Sequence, residues 1–235
     1  MKKIIKGLCV IYSMLFVMTA CHSVKTTSSD DVEQRLIFQQ YFVKYDANEE
    51  LLTATAKFAL NNNSGEQLRL SRKSSVDFNG EDLEAMEAGD AFFYQWEDNV
   101  DFPKEFVFTY QNDDKRNFTN AVVLSKFELK DKKCQLSKAG LNELAFSGKA
   151  FTDSETLECV ILQEGAFDDK SACSIFPVIL DASTIRINGE DLTLAAGEYE
   201  MYFIRRNSST DIKAMDRGGL WESEYDSKKI SVEIR

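Results

Sequence analysis

The residue types that support acid–base, nucleophilic or metal chemistry are poorly represented along this chain. It contains 235 residues and a single histidine, His22, close to the N-terminus. A serine or cysteine nucleophile needs a base within hydrogen-bond reach, and His22 cannot supply that base to the distant body of the chain. HExxH, CxxC, GxSxG and glycine-rich phosphate-loop patterns do not occur. We therefore predict no catalytic residue, no metal ligand and no cofactor, and hence a protein that is not an enzyme.

Carboxylates are the abundant reactive group, with 39 Asp and Glu against 28 Lys and Arg. A glycosidase needs only two of them, placed across a cleft at a suitable separation. Sequence spacing does not reveal such a pair, and charged side chains usually lie on the solvated surface. A solvated acidic surface is the favoured interpretation, and glycan hydrolysis stays open as an alternative.

Aromatic side chains are the other group that could bind a ligand. Trp221 lies in the glycine-rich stretch RGGLWESEY, and loops often carry binding residues. Trp96 and Phe93 face opposite sides of a predicted strand, because side chains alternate there. Most such rings are expected to pack in the core or between domains. Trp221 is the best candidate for exposure, and Trp221, Tyr225 and Trp96 are the candidate ligand platform.

The N-terminal segment has the pattern of an export signal. Three lysines within the first six residues precede an almost wholly apolar run, Gly7–Ala20, which is shorter than the ~20 residues of a bilayer span. The run ends in small residues before Cys21. This arrangement resembles the lipobox of bacterial lipoproteins. The resemblance implies that residues 1–20 are cleaved and that Cys21 is acylated, as with palmitate; an ordinary secretory signal with an incidental cysteine is the alternative.

The lipoprotein resemblance also indicates the compartment. His22 follows the cysteine, where an aspartate would favour inner-membrane retention in enteric bacteria, so we predict the cell envelope and its outer membrane. Which leaflet the protein faces is left open. One acyl chain anchors a protein only marginally, whereas two or more anchor it stably. Residues 21–34 are polar and lack aromatic residues, and we predict a flexible lipidated tether.

The mature chain is strongly acidic. Loss of residues 1–20 removes three lysines and no acids, so Lys plus Arg falls from 28 to 25 against 39 acids, and the net charge becomes −14. This balance argues against nucleic acid, whose phosphates need Lys and Arg. It also argues against contact between the folded body and anionic headgroups. The predicted partners are the membrane, through the lipid on Cys21, and a protein or glycan ligand.

Three cysteines follow Cys21, at positions 134, 159 and 173. An exported chain reaches a disulfide-permissive compartment, and an odd number leaves one thiol over. If TLECVIL pairs antiparallel with ACSIF so that facing residue numbers sum to 332, Cys159 lies opposite Cys173, within reach of a disulfide. We predict this bridge; three buried thiols that pack as small apolar groups are the alternative.

Period-two alternation dominates the body and predicts half-buried strands. The pattern is clear in Thr53–Leu60, Glu105–Tyr110, Ser183–Ile187 and Lys228–Arg235. Stretches rich in Asn, Gly, Asp and Ser separate these segments and indicate turns. Many short strands with regular turns predict an all-β sandwich fold.

The pentapeptide NGEDL occurs twice, at Asn79–Leu83 and Asn188–Leu192. Asn-Gly between alternating strands is a strong hairpin signal, because a type I′ turn needs two residues with positive φ. Two similar hairpins 109 residues apart favour two tandem immunoglobulin-like sandwiches, which we place at residues 35–130 and 131–235. Convergent turn chemistry within a single larger fold is the alternative.

A lipobox followed by a strand-rich acidic body resembles bacterial cell-envelope lipoproteins with tandem immunoglobulin-like sandwiches. The resemblance is one of architecture and implies no catalytic residues. We predict a membrane-anchored, non-enzymatic binding or assembly module. A carbohydrate-binding or glycan-processing surface lipoprotein is the alternative.

Overall fold

The computed structural model describes residues 24–163 and 172–235, and within them the protein is all-β. Helical structure in this part of the chain is limited to short 3-10 turns, Ser29–Asp31, Gln34–Leu36 and Gly189–Asp191. The predicted all-β fold with sandwich architecture is confirmed.

The strands, numbered in chain order, are β1 (Thr27–Ser28), β2 (Ile37–Asp46), β3 (Leu51–Leu60), β4 (Leu68–Arg69), β5 (Ser75–Phe78), β6 (Glu81–Asp82), β7 (Glu84–Ala88), β8 (Ala91–Asn99), β9 (Val107–Gln111), β10 (Asn117–Ala121), β11 (Phe127–Leu129), β12 (Lys133–Leu136), β13 (Leu141–Gly148), β14 (Thr156–Leu162), β15 (Ala172–Ile175), β16 (Val178–Ile179), β17 (Thr184–Asn188), β18 (Gly197–Ser209), β19 (Gly219–Asp226) and β20 (Ile230–Ile234).

Ten strands form one large sheet that joins the first and second halves of the chain. The sheet branches at β18, which pairs with β14 along one edge and with both β19 and β20 along the other. β19 pairs in parallel with β2, from Gly219 opposite Gln39 to Asp226 opposite Asp46. β3, β8 and β7 then follow in antiparallel order. Strands from both halves of the chain therefore share one hydrogen-bonded ladder.

Two four-stranded sheets cover one face of the large sheet. The N-terminal small sheet has the order β10-β9-β5-β6, and the C-terminal small sheet has the order β11-β13-β17-β16. The alternation in β2 shows which face they cover: Ile37, Tyr41, Val43 and Tyr45 are buried, whereas the residues between them are only partly buried. We call the covered side the inner face and the opposite side the outer face.

Aromatic contacts tie each small sheet to the inner face. Tyr41 of β2 stacks on Phe108 of β9 with ring centroids 4.6 Å apart. Phe203 of β18 lies 5.0 Å from Phe127 of β11. The buried residues of both halves belong to a single cluster, so one hydrophobic core runs beneath both small sheets.

A buried ion pair fastens the C-terminal small sheet to β18. The side chains of Arg205 and Glu155 are each 2% exposed, and the guanidinium donates to both carboxylate oxygens at 2.9 and 2.8 Å. It also donates to the carbonyl oxygens of Lys149 and Ala150, just after β13. Each buried charge depends on its partner, because removal of one leaves the other desolvated and uncompensated.

The segment that precedes β2 is docked on the body. β1 pairs in parallel with β4, and Ser29 is fully buried. The carboxylate of Asp113 accepts hydrogen bonds from Ser29, Gln34 and Ser71. The predicted flexible tether over residues 21–34 is therefore wrong from residue 24 onward, because polar side chains of this segment satisfy a carboxylate on a neighbouring loop.

The two NGEDL stretches adopt different structures. Asn79 and Gly80 have φ of 53° and 88° and connect β5 to β6 in a two-residue turn, which is the predicted hairpin. Asn188 is extended at the end of β17, and Gly189 begins a 3-10 turn. The second predicted hairpin is wrong, because Gly189 packs so closely on the backbone that an added Cβ would lie 2.4 Å from the carbonyl oxygen of Ser137.

Each half of the chain contributes one small sheet, with β5 in the N-terminal one and β17 in the C-terminal one. The large sheet nevertheless crosses the boundary placed between residues 130 and 131, through the pairing of β2 with β19. The division into residues 35–130 and 131–235 stays a prediction. The strands of the two halves are joined edge to edge in this sheet.

Candidate functional site

The outer face of the large sheet carries an open trough that crosses six strands. Two neighbouring depressions, of ≈ 290 Å³ and ≈ 390 Å³, share Phe42 of β2 and Glu222 of β19 as lining residues. The first depression extends over β3 to Phe93 of β8, and the second extends over β18 to Thr156 of β14. At ~4.8 Å between neighbouring strands, the distance from β8 to β14 is about 24 Å. We call this surface, from Phe93 to Thr156, the outer-sheet trough.

Strand register aligns side chains of the trough in one row, with the ring of Phe42 at its middle. Phe42 pairs with Thr55, and Thr55 pairs with Gln95. On the other side Phe42 pairs with Glu222, and Glu222 pairs with Ser208. Because side chains in register point to the same face of a sheet, all five point outward. Polar groups therefore flank Phe42 on both sides.

Phe42 and Phe93 supply the aromatic surface of the outer-sheet trough. Both rings are partly exposed, although phenylalanine is among the residues that are most often buried. Phe93 lies two residues from Gln95 on β8, so strand spacing separates its Cα from that of Phe42 by about 12 Å. The Lys57 ammonium lies 5.8 Å from the centroid of the Phe93 ring, at the outer limit of a cation–π contact.

The amides of the trough keep free hydrogen-bonding capacity. Gln95 donates to Glu97 at 3.3 Å, and Gln40 donates to the carbonyl oxygen of Asn63 at 3.4 Å. Both bonds are long for N–H···O geometry, so a ligand can replace them at little cost. Each side chain also has a carbonyl oxygen that can accept a hydrogen bond.

A ladder of ion pairs borders the trough and links four strands. Lys44 of β2 contacts Glu224 and Asp226 of β19 at 2.7 and 2.8 Å. Arg206 of β18 contacts Glu224 at 2.8 Å and Glu158 of β14 at 2.6 Å. Burial opposes ionisation of Glu224, but hydrogen bonds from Lys44 and Arg206 outweigh it and lower the pKa of this carboxyl. The charges of the ladder are thus largely compensated within it.

This geometry suits reversible binding better than acid catalysis. The acid of a glycosidase needs an accessible carboxyl whose pKa is raised. Lys44 and Arg206 lower the pKa of Glu224, and Asp226, whose pKa burial raises, is only 6% exposed and is paired with Lys44. Ligand sites combine apolar surface with a few placed polar groups. The trough offers this combination on an open surface, where an elongated polar molecule can lie.

The described part of the chain, residues 24–163 and 172–235, shows no grouping of His, Cys, Asp and Glu that could hold a metal ion. In the same residues, no helix has the length and apolarity needed to cross a membrane. Cys21 lies outside the described residues, so its acylation stays a prediction.

Trp221, the candidate for exposure, is buried. Trp221 is 6% exposed and Tyr225 is 1% exposed, and both belong to the core cluster. Trp96 is partly buried and packs on Phe78 with ring centroids 5.7 Å apart. All three rings lie on the inner face, because register places them beside buried residues, as Trp221 pairs with Tyr41. They do not form the predicted ligand platform.

The rings that do lie at the trough were not proposed as ligand contacts from the sequence. Phe93 was identified only as the ring opposite Trp96, and Phe42 was not singled out. A signal for Phe42 exists in the stretch Ile37–Asp46, IFQQYFVKYD, where aromatic residues occupy both faces of one strand. A strand with aromatic residues on both faces must either be covered twice or expose one set.

The predicted pairing of β14 with β15 is confirmed, but its predicted register is wrong by two residues. Cys159 lies opposite Ile175, and Cys173 lies opposite Ile161. The two cysteines are thus diagonal neighbours and not directly opposed residues. The apolar register keeps Ile161 and Ile175 buried. The Cys159–Cys173 bridge itself stays a prediction.

Comparison with known proteins adds little to this geometry. No protein-family model and no curated protein matches the chain. Among solved structures, the chain is similar to SGBP-B of the Bacteroides ovatus mixed-linkage glucan utilization locus, in complex with a mixed-linkage heptasaccharide, with 8% identity and a TM-score of 0.25. The match covers 85% of this chain and 61% of that chain, less than two thirds of its length. A TM-score this low carries no inference about function.

Proposed function

We propose that the protein is a lipid-anchored envelope protein that binds a glycan in the outer-sheet trough without cleaving it. The observation that carries the proposal is the row of side chains through Phe42. The Phe42 ring is partly exposed, with Thr55 and Gln95 on one side and Glu222 and Ser208 on the other. A sugar presents an apolar ring face and a rim of hydroxyls. The row offers an aromatic partner for the face and hydrogen-bonding partners for the rim.

The anchoring part of the proposal depends on Cys21. If this residue carries the lipid, only residues 22 and 23 separate it from the docked segment that starts at Val24, which packs against the core. Three peptide units span at most about 11 Å. The lipid would therefore hold the folded body directly at the membrane surface.

A glycan array tests the binding part of the proposal. The mature chain with Cys21→Ser lacks the lipid attachment and is applied to polysaccharides and oligosaccharides. We expect retention on at least one glycan class and no release of shorter products. Absence of binding to every glycan on the array would contradict the proposal, and so would cleavage of a bound glycan.

Membrane fractionation tests the anchoring part separately. Wild type is expected in the membrane fraction, and the Cys21→Ser variant in the soluble fraction with an unchanged far-ultraviolet spectrum. A soluble, unlipidated wild type would contradict the anchoring part of the proposal without bearing on the glycan-binding part.

A further inference from the structure

Given the proposed glycan-binding function, on which this step rests, we infer that the ligand is an electrically neutral chain with an extended, ribbon-like backbone. It lies across the strands of the large sheet and contacts Phe42 and Phe93 with different sugar units. Length, ring placement and charge of the outer-sheet trough each point to this class of glycan.

The length of the trough selects a chain over a single sugar. Phe42 and Phe93 are about 12 Å apart at their Cα atoms, which exceeds the width of one sugar ring, so the two rings contact separate units. Beyond Phe42 the second depression continues to Thr156.

The placement of the rings selects a flat backbone. Phe42 on β2 and Phe93 on β8 stand on the same face of one sheet, with β3 between them. Both rings therefore project from the same outer side of the sheet. A chain with equatorial linkages presents successive ring faces along one plane and can contact both rings. A chain that coils turns away from one of them.

The charge of the trough selects a neutral ligand. Lys57 and Glu222 are its exposed charged side chains without an ion pair in the described residues, and their charges cancel. Lys44 and Arg206, the nearby cations, already contact carboxylates of the ladder. A uronate chain would bring further carboxylates beside Glu222 with one available cation, so like-charge repulsion disfavours it.

The continuous sheet gives the site its length. Phe42 and Phe93 come from the first half of the chain, whereas Glu222, Ser208 and Thr156 come from the second. The parallel pairing of β2 with β19 brings the two sets together. Neither half of the chain holds the whole trough.

Titration calorimetry with oligosaccharides of increasing length tests this inference. The Cys21→Ser mature chain is titrated with cello-, xylo- and manno-oligosaccharides from disaccharide to hexasaccharide. For at least one series we expect affinity to rise at least about tenfold with length. Maltohexaose and hexagalacturonate are expected to bind at least about tenfold more weakly than the tightest-binding hexasaccharide. Added salt is expected to change the affinity for that hexasaccharide little, because no ion pair forms between ligand and protein.

Two phenylalanine variants assign the subsites. Phe93→Ala is expected to abolish the gain in affinity with length and to leave disaccharide binding at Phe42 unchanged. Phe176→Ala, which truncates a ring that is 70% exposed outside the trough, is the matched control and is expected to behave as wild type.

Three results would overturn the inference while leaving glycan binding in place. They are an affinity that does not depend on chain length, tighter binding of maltohexaose, and tighter binding of hexagalacturonate. Absence of binding to every glycan on the array would instead contradict the proposed function itself, and the inference that rests on it.

Discussion

Asp113 is the residue that holds the N-terminal segment on the body. Its carboxylate accepts hydrogen bonds from Ser71 and Ser74 of one loop and from Ser29 and Gln34 of the docked segment. Burial opposes its ionisation, but these hydrogen bonds outweigh that effect and lower the pKa of Asp113. A carboxyl whose pKa is lower in the folded state stabilises the fold above its ordinary unfolded value, and this contribution is lost as the pH falls through the folded value.

Replacement of Asp113 should therefore have a pH-dependent cost. At neutral pH we expect Asp113→Asn to lower the free energy of unfolding by about 1 kcal/mol, a value reduced for partial exposure of the carboxylate. The difference from wild type should shrink as the pH falls below the ordinary aspartate value of about 4 and through the lower pKa of the folded-state carboxyl. Urea unfolding across this range measures it.

Asp114 supplies the matched control for this prediction. It is the next residue in the chain and is exposed, so Asp114→Asn should leave the unfolding curve within about 0.5 kcal/mol of wild type. A stability difference for Asp113→Asn that stays constant with pH would contradict the assigned role of the ionised carboxylate.

Single residues show where sequence reasoning succeeded and where it did not. Alternation placed Ala54, Ala56 and Phe58 on a buried face, as the structure shows. For Trp221 a local glycine-rich composition suggested exposure, but the residue belongs to a strand whose alternation buries it. The exposure of Phe42 depends on which face the small sheets cover, and that is a property of the tertiary fold.

At the scale of the element, the two NGEDL segments show one sequence in two roles. Gly80 has φ of 88° and no atom within 4 Å of an added Cβ, so only its backbone conformation requires glycine. Gly189 does not adopt a positive φ. A Cβ added there would lie 2.4 Å from the carbonyl oxygen of Ser137 and 2.6 Å from the carbonyl carbon of Lys138. Turn chemistry decides the first segment, and packing decides the second.

Substitution of the two glycines should therefore have unequal costs. We expect Gly80→Ala to lower the free energy of unfolding by about 1 kcal/mol, the strain of a left-handed residue. Gly189→Ala should cost about 3 kcal/mol, because backbone atoms must move to admit the Cβ. Thermal and urea unfolding of the two variants measure the difference.

Asparagine at the same positions separates the two causes. Asn tolerates positive φ better than other residues, so Gly80→Asn should cost less than Gly80→Ala. Gly189→Asn should be at least as harmful as Gly189→Ala. Equal costs at both sites would contradict the assignment of strain to one glycine and packing to the other.

The elements also explain why the sequence did not predict the second turn. The dipeptide Asn-Gly carries the same local preference at both sites. Only the approach of the Ser137–Gly140 segment, where Gly189 donates its N–H to the carbonyl oxygen of Gly140 at 2.7 Å, selects the 3-10 turn. Contacts between residues about fifty positions apart are not visible in a five-residue pattern.

At the scale of the whole molecule, the pairing of β2 with β19 joins strands of the two halves in one sheet. Tyr45 of β2 and Tyr225 of β19 stack with centroids 6.0 Å apart, and the ladder of Lys44, Glu224 and Arg206 crosses the same junction on the outer face. The sandwich architecture was predictable from alternation and turns. The fusion was not, because parallel pairing between distant strands leaves no local signature.

This fusion predicts a single cooperative unfolding transition. In differential scanning calorimetry the Cys21→Ser mature chain should show one peak. Tyr225→Ala should shift the whole peak to lower temperature, since truncating a buried aromatic ring costs about 3–5 kcal/mol. Leu141→Ala removes a side chain that is 60% exposed and should leave the peak in place.

Calorimetry would contradict the fused architecture if wild type showed two resolved peaks and Tyr225→Ala moved only one of them. Two independent sandwiches would behave in that way. The outer-sheet trough would then join two separately unfolding bodies, and its length would not be fixed by a continuous sheet.

The central claim is that Phe42 forms the middle of a glycan site, and calorimetric titration of the Phe42→Ala variant tests it most directly. The ligand is the tightest-binding oligosaccharide from the array, and Phe176→Ala serves as the control. We predict that Phe42→Ala weakens binding at least about tenfold without a change in melting temperature, whereas Phe176→Ala binds as wild type. Wild-type affinity in a folded Phe42→Ala variant would contradict the claim.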